Sequence, residues 1–297
     1  MMKILLFGKT GQVGTQFSRL AGGGGEVLPV DRAACDLTDA AAVREYVLRT
    51  APDCVVNAAA YTAVDKAESD EAVCFAVNAA APGAMADAAN ELGIPLVHYS
   101  TDYVFNGRKQ GAYTEEDATD PLGVYGRTKL EGEQRIAAAG GKFVVLRTSW
   151  VYGAEGQNFL RTMLRLGAER PELRIVSDQV GSPTSSREIA TATVRILEQE
   201  FIPAGVYHMT AGGSTSWFGF AEKIFSLAEM AHKPRVVPIT TADYPTPAKR
   251  PGNSVLSNEK FAAAAGFRLD PWEDGLKTEM HALARGAKMA AASSSRL

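Results

Sequence analysis

Through its first half the chain alternates short, almost wholly apolar β-type runs (residues 3–8, 26–31, 54–58, 95–101 and 143–148) with helical stretches (12–21, 40–50, 71–92 and 125–139). Strands that are apolar throughout need cover on both faces, and parallel strands take that cover from their own crossover helices. This alternation predicts an α/β fold: a doubly wound parallel sheet, Rossmann-like, with helices on both sides. Right-handed crossovers predict the strand order 3-2-1-4-5, with further strands after it.

After about residue 150 the rhythm loosens. Helices are predicted at 158–169, 187–199, 216–231, 258–264 and 274–285, with short strands at 174–177, 206–209 and 236–239. Pro245, Pro247 and Pro251 mark an irregular loop. The expected division is a dinucleotide-binding domain over 1–150 and a smaller C-terminal substrate lobe over 151–297. The strand near 205–210 is expected to return to the main sheet.

The first strand runs straight into G-K-T-G-Q-V-G, which places Gly8, Gly11 and Gly14 in a G-x-x-G-x-x-G spacing. Gly8 ends the strand, Gly11 lets the backbone approach a pyrophosphate, and Gly14 lets the helix pack on the sheet. The helix that starts near Gln12 aims its amino end at the phosphates. The spacing is a variant of the G-x-G-x-x-G fingerprint. G-K-T also matches the end of a Walker A loop, but Lys3 stands where that loop needs its first glycine. The Gly22–Gly25 run follows a helix and reads as a flexible connection. Asp31 ends the second strand, where a carboxylate accepts hydrogen bonds from the adenosine ribose and favours NAD. Arg32 beside it suits a 2′-phosphate instead, so use of both NADPH and NADH is expected. Asp36 and Leu37 fall where an adenine edge is usually met. Asp36 reads equally as a helix cap.

Tyr125 and Lys129 stand four apart at the start of a helical run, and Thr101 ends an apolar strand. A Tyr-x-x-x-Lys pair is weak alone, since chance supplies roughly 0.4 of them in such a chain. Its position past the carboxyl ends of strands, where open α/β sheets bind ligands, gives it weight. Residues at i and i+4 share a helix face, so an ammonium at Lys129 is expected to lower the phenol pKa of Tyr125. A shift from about 10 to about 7 needs roughly 4 kcal/mol, so help from the Thr101 hydroxyl and from exclusion of water is expected. Trp150 follows the fifth strand and reads either as a sugar platform or as core. Lys249 and Arg250 read either as partners of a substrate diphosphate or as two solvated cations. His98 and His208 read as packed core residues.

Net charge of −3 with no basic stripe argues against nucleic acid as the main partner. Cys35, Cys54 and Cys74 form no C-x-x-C pair, so no zinc site or disulfide framework is indicated and a reducing, cytoplasmic setting is expected. No group of His, Cys and carboxylates has metal-ligand spacing. No signal peptide opens the chain and no apolar run of about 18 residues is seen, so no membrane role is expected.

Six segments run in order: G-K-T-G-Q-V-G, N-A-A-A-Y-T-A-V-D-K-A-E, Y-S-T-D-Y-V-F-N-G, Y-G-R-T-K-L-E-G-E, R-T-S-W-V-Y-G and K-R-P-G-N-S-V-L. Together they resemble the dTDP-4-dehydrorhamnose reductase family, extended short-chain dehydrogenase/reductases, over nearly the whole chain. The resemblance implies reduction of the C4 ketone of a dTDP-sugar by a nicotinamide cofactor, with NADPH slightly favoured. It implies that Tyr125 is the proton donor, that Lys129 holds the nicotinamide ribose, and that Thr101 polarises the ketone. It further implies a pyrophosphate turn at Gly11, Gln12 and Val13 and a cofactor-lining segment at Ala60, Tyr61 and Thr62. Thr101, Asp102 and Trp150 would contact the sugar nucleotide. Some members carry Mg²⁺ at a carboxylate-lined dimer contact; the sequence does not demand it, and a homodimer is compatible with it. Two departures stand out: Tyr61, where histidine is frequent, and Asn253, where an aromatic is more usual. Competing readings are a 4,6-dehydratase or 4-epimerase on the same scaffold, and a non-catalytic regulatory subunit. Tyr103 stands where the dehydratases have a glutamate, which favours simple reduction.

Overall fold

The computed structural model describes residues 2–22, 25–199 and 201–294, with side chains to residue 286. The connection expected at Gly22–Gly25 falls largely on residues 23 and 24, outside that range.

Five of the expected strands form within a residue or two of their expected bounds: β1 (Met2–Phe7), β2 (Gly25–Val30), β3 (Cys54–Asn57), β4 (Leu96–Thr101) and β5 (Phe143–Thr148). All pair in parallel, and the strand Gly205–His208 returns to pair in parallel with β5. Helices α1 (Gln12–Ala21) and α2 (Ala40–Thr50) match the expected ranges. Asp39, not Asp36, caps α2, its carboxylate accepting from Ala42 N–H. Asp36 instead closes a local turn on Thr38 N–H (3.0 Å).

The strand order corrects the expectation. It runs β2-β1-β3-β4-β5, ending in Gly205–His208, rather than 3-2-1-4-5. Residues 31–39 make turns and no strand, so the chain leaving β2 returns through α2 to the other side of β1. The order therefore reverses between β1 and β3. At such a switch point the connections diverge to opposite faces and leave a crevice at the carboxyl ends of the strands.

Apolar residues fill both faces of the sheet. Phe17 of α1 and Ile189 lie in one layer, and Val43 of α2 and Met85 in the other. A third cluster, around Tyr152, Phe220, Trp272 and Leu276, belongs to the later half of the chain. The run Glu71–Leu92 meets the length and hydropathy of a membrane span, against the expectation that none would. However, 61% of that window is buried, and the helix packs between α2 and the helix Val124–Ala139. That burial marks it as a core helix. A π-helical turn, Ala76–Ala80, interrupts it and carries Asn78.

Candidate active site

At the switch point lies a cleft of about 810 Å³, within the roughly 300–1,000 Å³ usual for ligand sites. Its walls come from the turn after β1 (Gly8, Gly11, Gln12 and Val13), the end of β2 (Asp31, Arg32, Asp36 and Leu37), and the segment after β3 (Ala60, Tyr61 and Thr62). Tyr125 and Lys129 line the same cleft, as do Ser100 and Thr148, which the sequence reading did not single out.

The glycine turn is built for close approach. Gly8 has φ +82°, and a Cβ there would sit 2.5 Å from the Ala59 nitrogen. At Gly14 a Cβ would meet the Gly8 carbonyl oxygen at 2.1 Å, so this glycine serves helix-to-turn packing and does not line the cleft. Gly11, extended at the N-cap of α1, leaves the first N–H groups of that helix without a side-chain cap. Bare helical N–H groups beside a cleft of this size fit a dinucleotide pyrophosphate.

At the β2 end, Lys9 meets Asp31 at 2.9 Å. Hydrogen bonds and charge from Lys9 hold the Asp31 carboxyl below its ordinary pKa. Arg32 stays 82% exposed and only skirts Asp36 at 3.7 Å. The carboxylate expected to meet the ribose is thus already engaged by a cation, a pairing hidden in the sequence because 22 positions separate the two residues.

The segment after β3 is clamped by the π-turn. Asn78 accepts from Tyr61 N–H (2.8 Å) and donates to the Tyr61 carbonyl (3.1 Å). The Tyr61 hydroxyl donates to Asp70 at 2.9 Å, so this departure from histidine is satisfied locally.

Tyr125 and Lys129 sit in the first two turns of the helix Val124–Ala139. Its cap is a distant one: Glu68 Oε1 accepts from Val124 N–H at 2.8 Å. Gly126 permits close packing, since a Cβ there would lie 2.2 Å from the Tyr103 carbonyl oxygen. Lys129 is 1% exposed and its amine donates to the Tyr99 carbonyl at 2.6 Å. Burial lowers its pKa from 10.5 to about 8. The expectation for Tyr125 is overturned: its phenol is raised above the ordinary value. Burial dominates, and the neighbouring Thr101 side chain offsets only part of it. Thr101, itself 5% exposed, donates to Asp102 Oδ1 at 3.0 Å and accepts from Tyr103 N–H at 3.2 Å. Burial lifts Asp102 to about 6.

Trp150 adopts φ +48°, rare for a bulky residue. Its indole stacks on Trp217 at 3.6 Å, and a Cβ on Gly181 would meet it at 2.6 Å. Lys249 is exposed, as a free cation would be. Arg250 is not free: its guanidinium grips Asp65 at 2.8 and 3.0 Å, tying the proline-rich loop to the segment after β3. Neither of these cations, nor Trp150, Thr101 or Asp102, lines the cofactor cleft itself. Asn253 donates to the Lys109 and Gly111 carbonyls and braces a neighbouring loop.

Residues 2–285 match the family model described as the RmlD substrate binding domain. A dTDP-4-dehydrorhamnose reductase of Burkholderia thailandensis is 47% identical over 91% of this chain and 95% of its own length. The chain belongs to the dTDP-4-dehydrorhamnose reductase family. Solved structures of the family superpose closely. One from Clostridium acetobutylicum has a TM-score of 0.90 at 40% identity, covering 95% of this chain and 99% of that one. Another, from Bacillus anthracis in complex with NADP, has a TM-score of 0.89 at 35% identity, covering 94% and 99%.

Proposed function

We propose that this chain reduces the C4 ketone of dTDP-4-dehydro-L-rhamnose to give dTDP-L-rhamnose, using NAD(P)H. The single observation that carries the reading is the meeting of Tyr125 and Lys129 in the switch-point cleft, beside the glycine turn, in a member of this family. A bound dihydronicotinamide supplies the hydride. Tyr125 donates its proton to the ketone oxygen as negative charge builds there. The raised phenol pKa suits that role, because a donor must arrive protonated. Lys129 holds the cofactor ribose and, when protonated, stabilises the phenolate left behind. Thr101 supplies a second hydrogen bond near the ketone.

Residues 1–150 hold the cofactor and 151–297 mainly the sugar nucleotide, with Asp102 and the Trp150 indole against the sugar and Lys249 against the diphosphate. Arg250 positions the loop through Asp65 rather than meeting phosphate. NADPH is the preferred cofactor and NADH is accepted. Lys9 and Arg32 offer charge to a 2′-phosphate, while the carboxylate that would favour NADH is held by Lys9. Tyr103, which stands in place of a dehydratase glutamate, is pushed further above the ordinary phenol range by burial and cannot serve as a base near neutrality. The test is NADPH oxidation with enzymatically prepared dTDP-4-dehydro-L-rhamnose, the product identified by NMR. Absence of dTDP-L-rhamnose would rule the reading out.

A further inference from the structure

Among the described residues, the Lys129 amine has two partners at hydrogen-bonding distance: the Tyr99 carbonyl and His98 Nε2, the latter at 3.0 Å. The second contact can be assigned from its far end. Ala59 N–H meets the Asn57 side chain at 3.1 Å, and only the amide oxygen can accept it. The Asn57 NH₂ therefore faces His98 Nδ1, at 3.0 Å. An NH₂ group donates, so Nδ1 carries a lone pair. His98 is fully buried, and burial holds its pKa well below the ordinary value, so the ring is neutral. Its single proton then lies on Nε2, pointing at the lysine. An ammonium has no lone pair to receive it; a neutral amine does.

We propose that His98 is a positioning residue for Lys129: locked by Asn57 with its proton on Nε2, it presents a donor to the amine and favours the amine's neutral form. Lys129 is then poised between amine and ammonium, not held as a fixed cation. This deepens the reductase reading and rests on it. The groups facing Lys129 pull in both directions. Glu133 faces it from its own helix, Cys74 from Glu71–Leu92, and His98 and Tyr99 from β4. Of these, Glu133 and Cys74 favour the ammonium, but the Glu133 carboxylate already meets Arg147 at 2.6 Å and burial pushes the Cys74 thiol up. Opposing that charge, burial brings the lysine to about 8. The same chain reaches the cofactor wall, since Ala59 lines the cleft.

Two measurements test this. The first is ¹⁵N NMR of the histidine rings in the whole chain, which has 4 histidines, with His98 assigned by comparison with His98→Gln. A neutral ring protonated on Nε2 is expected. A proton on Nδ1, or a charged ring, overturns the proposal, and neither reading depends on turnover. The second is Asn57→Asp. It keeps an oxygen for Ala59 N–H but turns the other atom into an acceptor, which draws the ring proton to Nδ1 and leaves Nε2 free to accept from an ammonium. The alkaline limb of kcat/KM for ketone reduction should then move up by about one pH unit or more. In a His98→Gln background the same change should move it by less than about half as much, which separates the tautomer from simple added charge. An unmoved limb, or an equal shift in both backgrounds, contradicts the assignment. If Asn57→Asp does not fold, the wild-type tautomer decides alone.

Discussion

The two ends of the cleft handle charge in opposite ways. Beside β2, Lys9 is 33% exposed and Asp31 43% exposed, so water and salt screen their interaction. Beside the helix Val124–Ala139, Lys129 is 1% exposed and His98 is fully buried, and desolvation governs both. On the proposed reading, the open end trades one cofactor for another at small cost. The closed end sets protonation states, and chemistry depends on those. On that reading, tolerance about the cofactor and strictness about the acid come from the two ends of one cleft.

If the contrast is right, substitutions at the closed end have the larger effects. Lys129→Met should lower turnover about a hundredfold or more in the cofactor-oxidation assay. It should also raise stability at neutral pH. Lys129 titrates at 10.5 when unfolded and at about 8 when folded. Between those values the unfolded chain binds more protons, so raising pH favours the folded state. The burial cost is full below about 8 and gone above 10.5. Denaturant midpoints should therefore favour Lys129→Met most below pH 8, with the gap closing toward 10.5. A gap independent of pH would show that the lysine is not desolvated. Trp150→Ala, between the two extremes, should raise KM for the sugar nucleotide about five- to tenfold and leave KM for the cofactor alone. Lys9→Ala at the open end should raise KM for NADPH by less than about fivefold. It should leave KM for NADH unchanged or lower, since Asp31 is released. A large NADPH effect would mean that this end is less screened than its exposure implies.

Much of this was legible in the sequence, for physical reasons. Strand and helix periods show through in β1 to β5 because both faces of the sheet are covered. Gly8 and Gly14 declare a turn that admits no Cβ. The strand order is not legible, because it depends on whether residues 31–39 form an edge strand, and apolar pattern does not report that. Tyr125 and Lys129 were found through spacing, but the sign of the Tyr125 shift was not. The spacing is visible in sequence, whereas the burial that raises the phenol and the engagement of Lys129 by Tyr99 and His98 are tertiary properties. The partnerships Lys9–Asp31, Arg250–Asp65 and Lys129–His98–Asn57 join distant positions, so spacing could not disclose them. His98 is packed core, as its sequence setting implies; its second nitrogen facing Lys129 is what the sequence conceals.

The central claim is that a half-buried, protonated Tyr125 is the acid of the reaction. It is tested most directly by Tyr125→Phe, with cofactor affinity and turnover on the keto-sugar nucleotide measured on the same sample. The structure predicts cofactor affinity within a few-fold of wild type and turnover reduced at least about a hundredfold. Near-normal turnover with intact cofactor binding would contradict it.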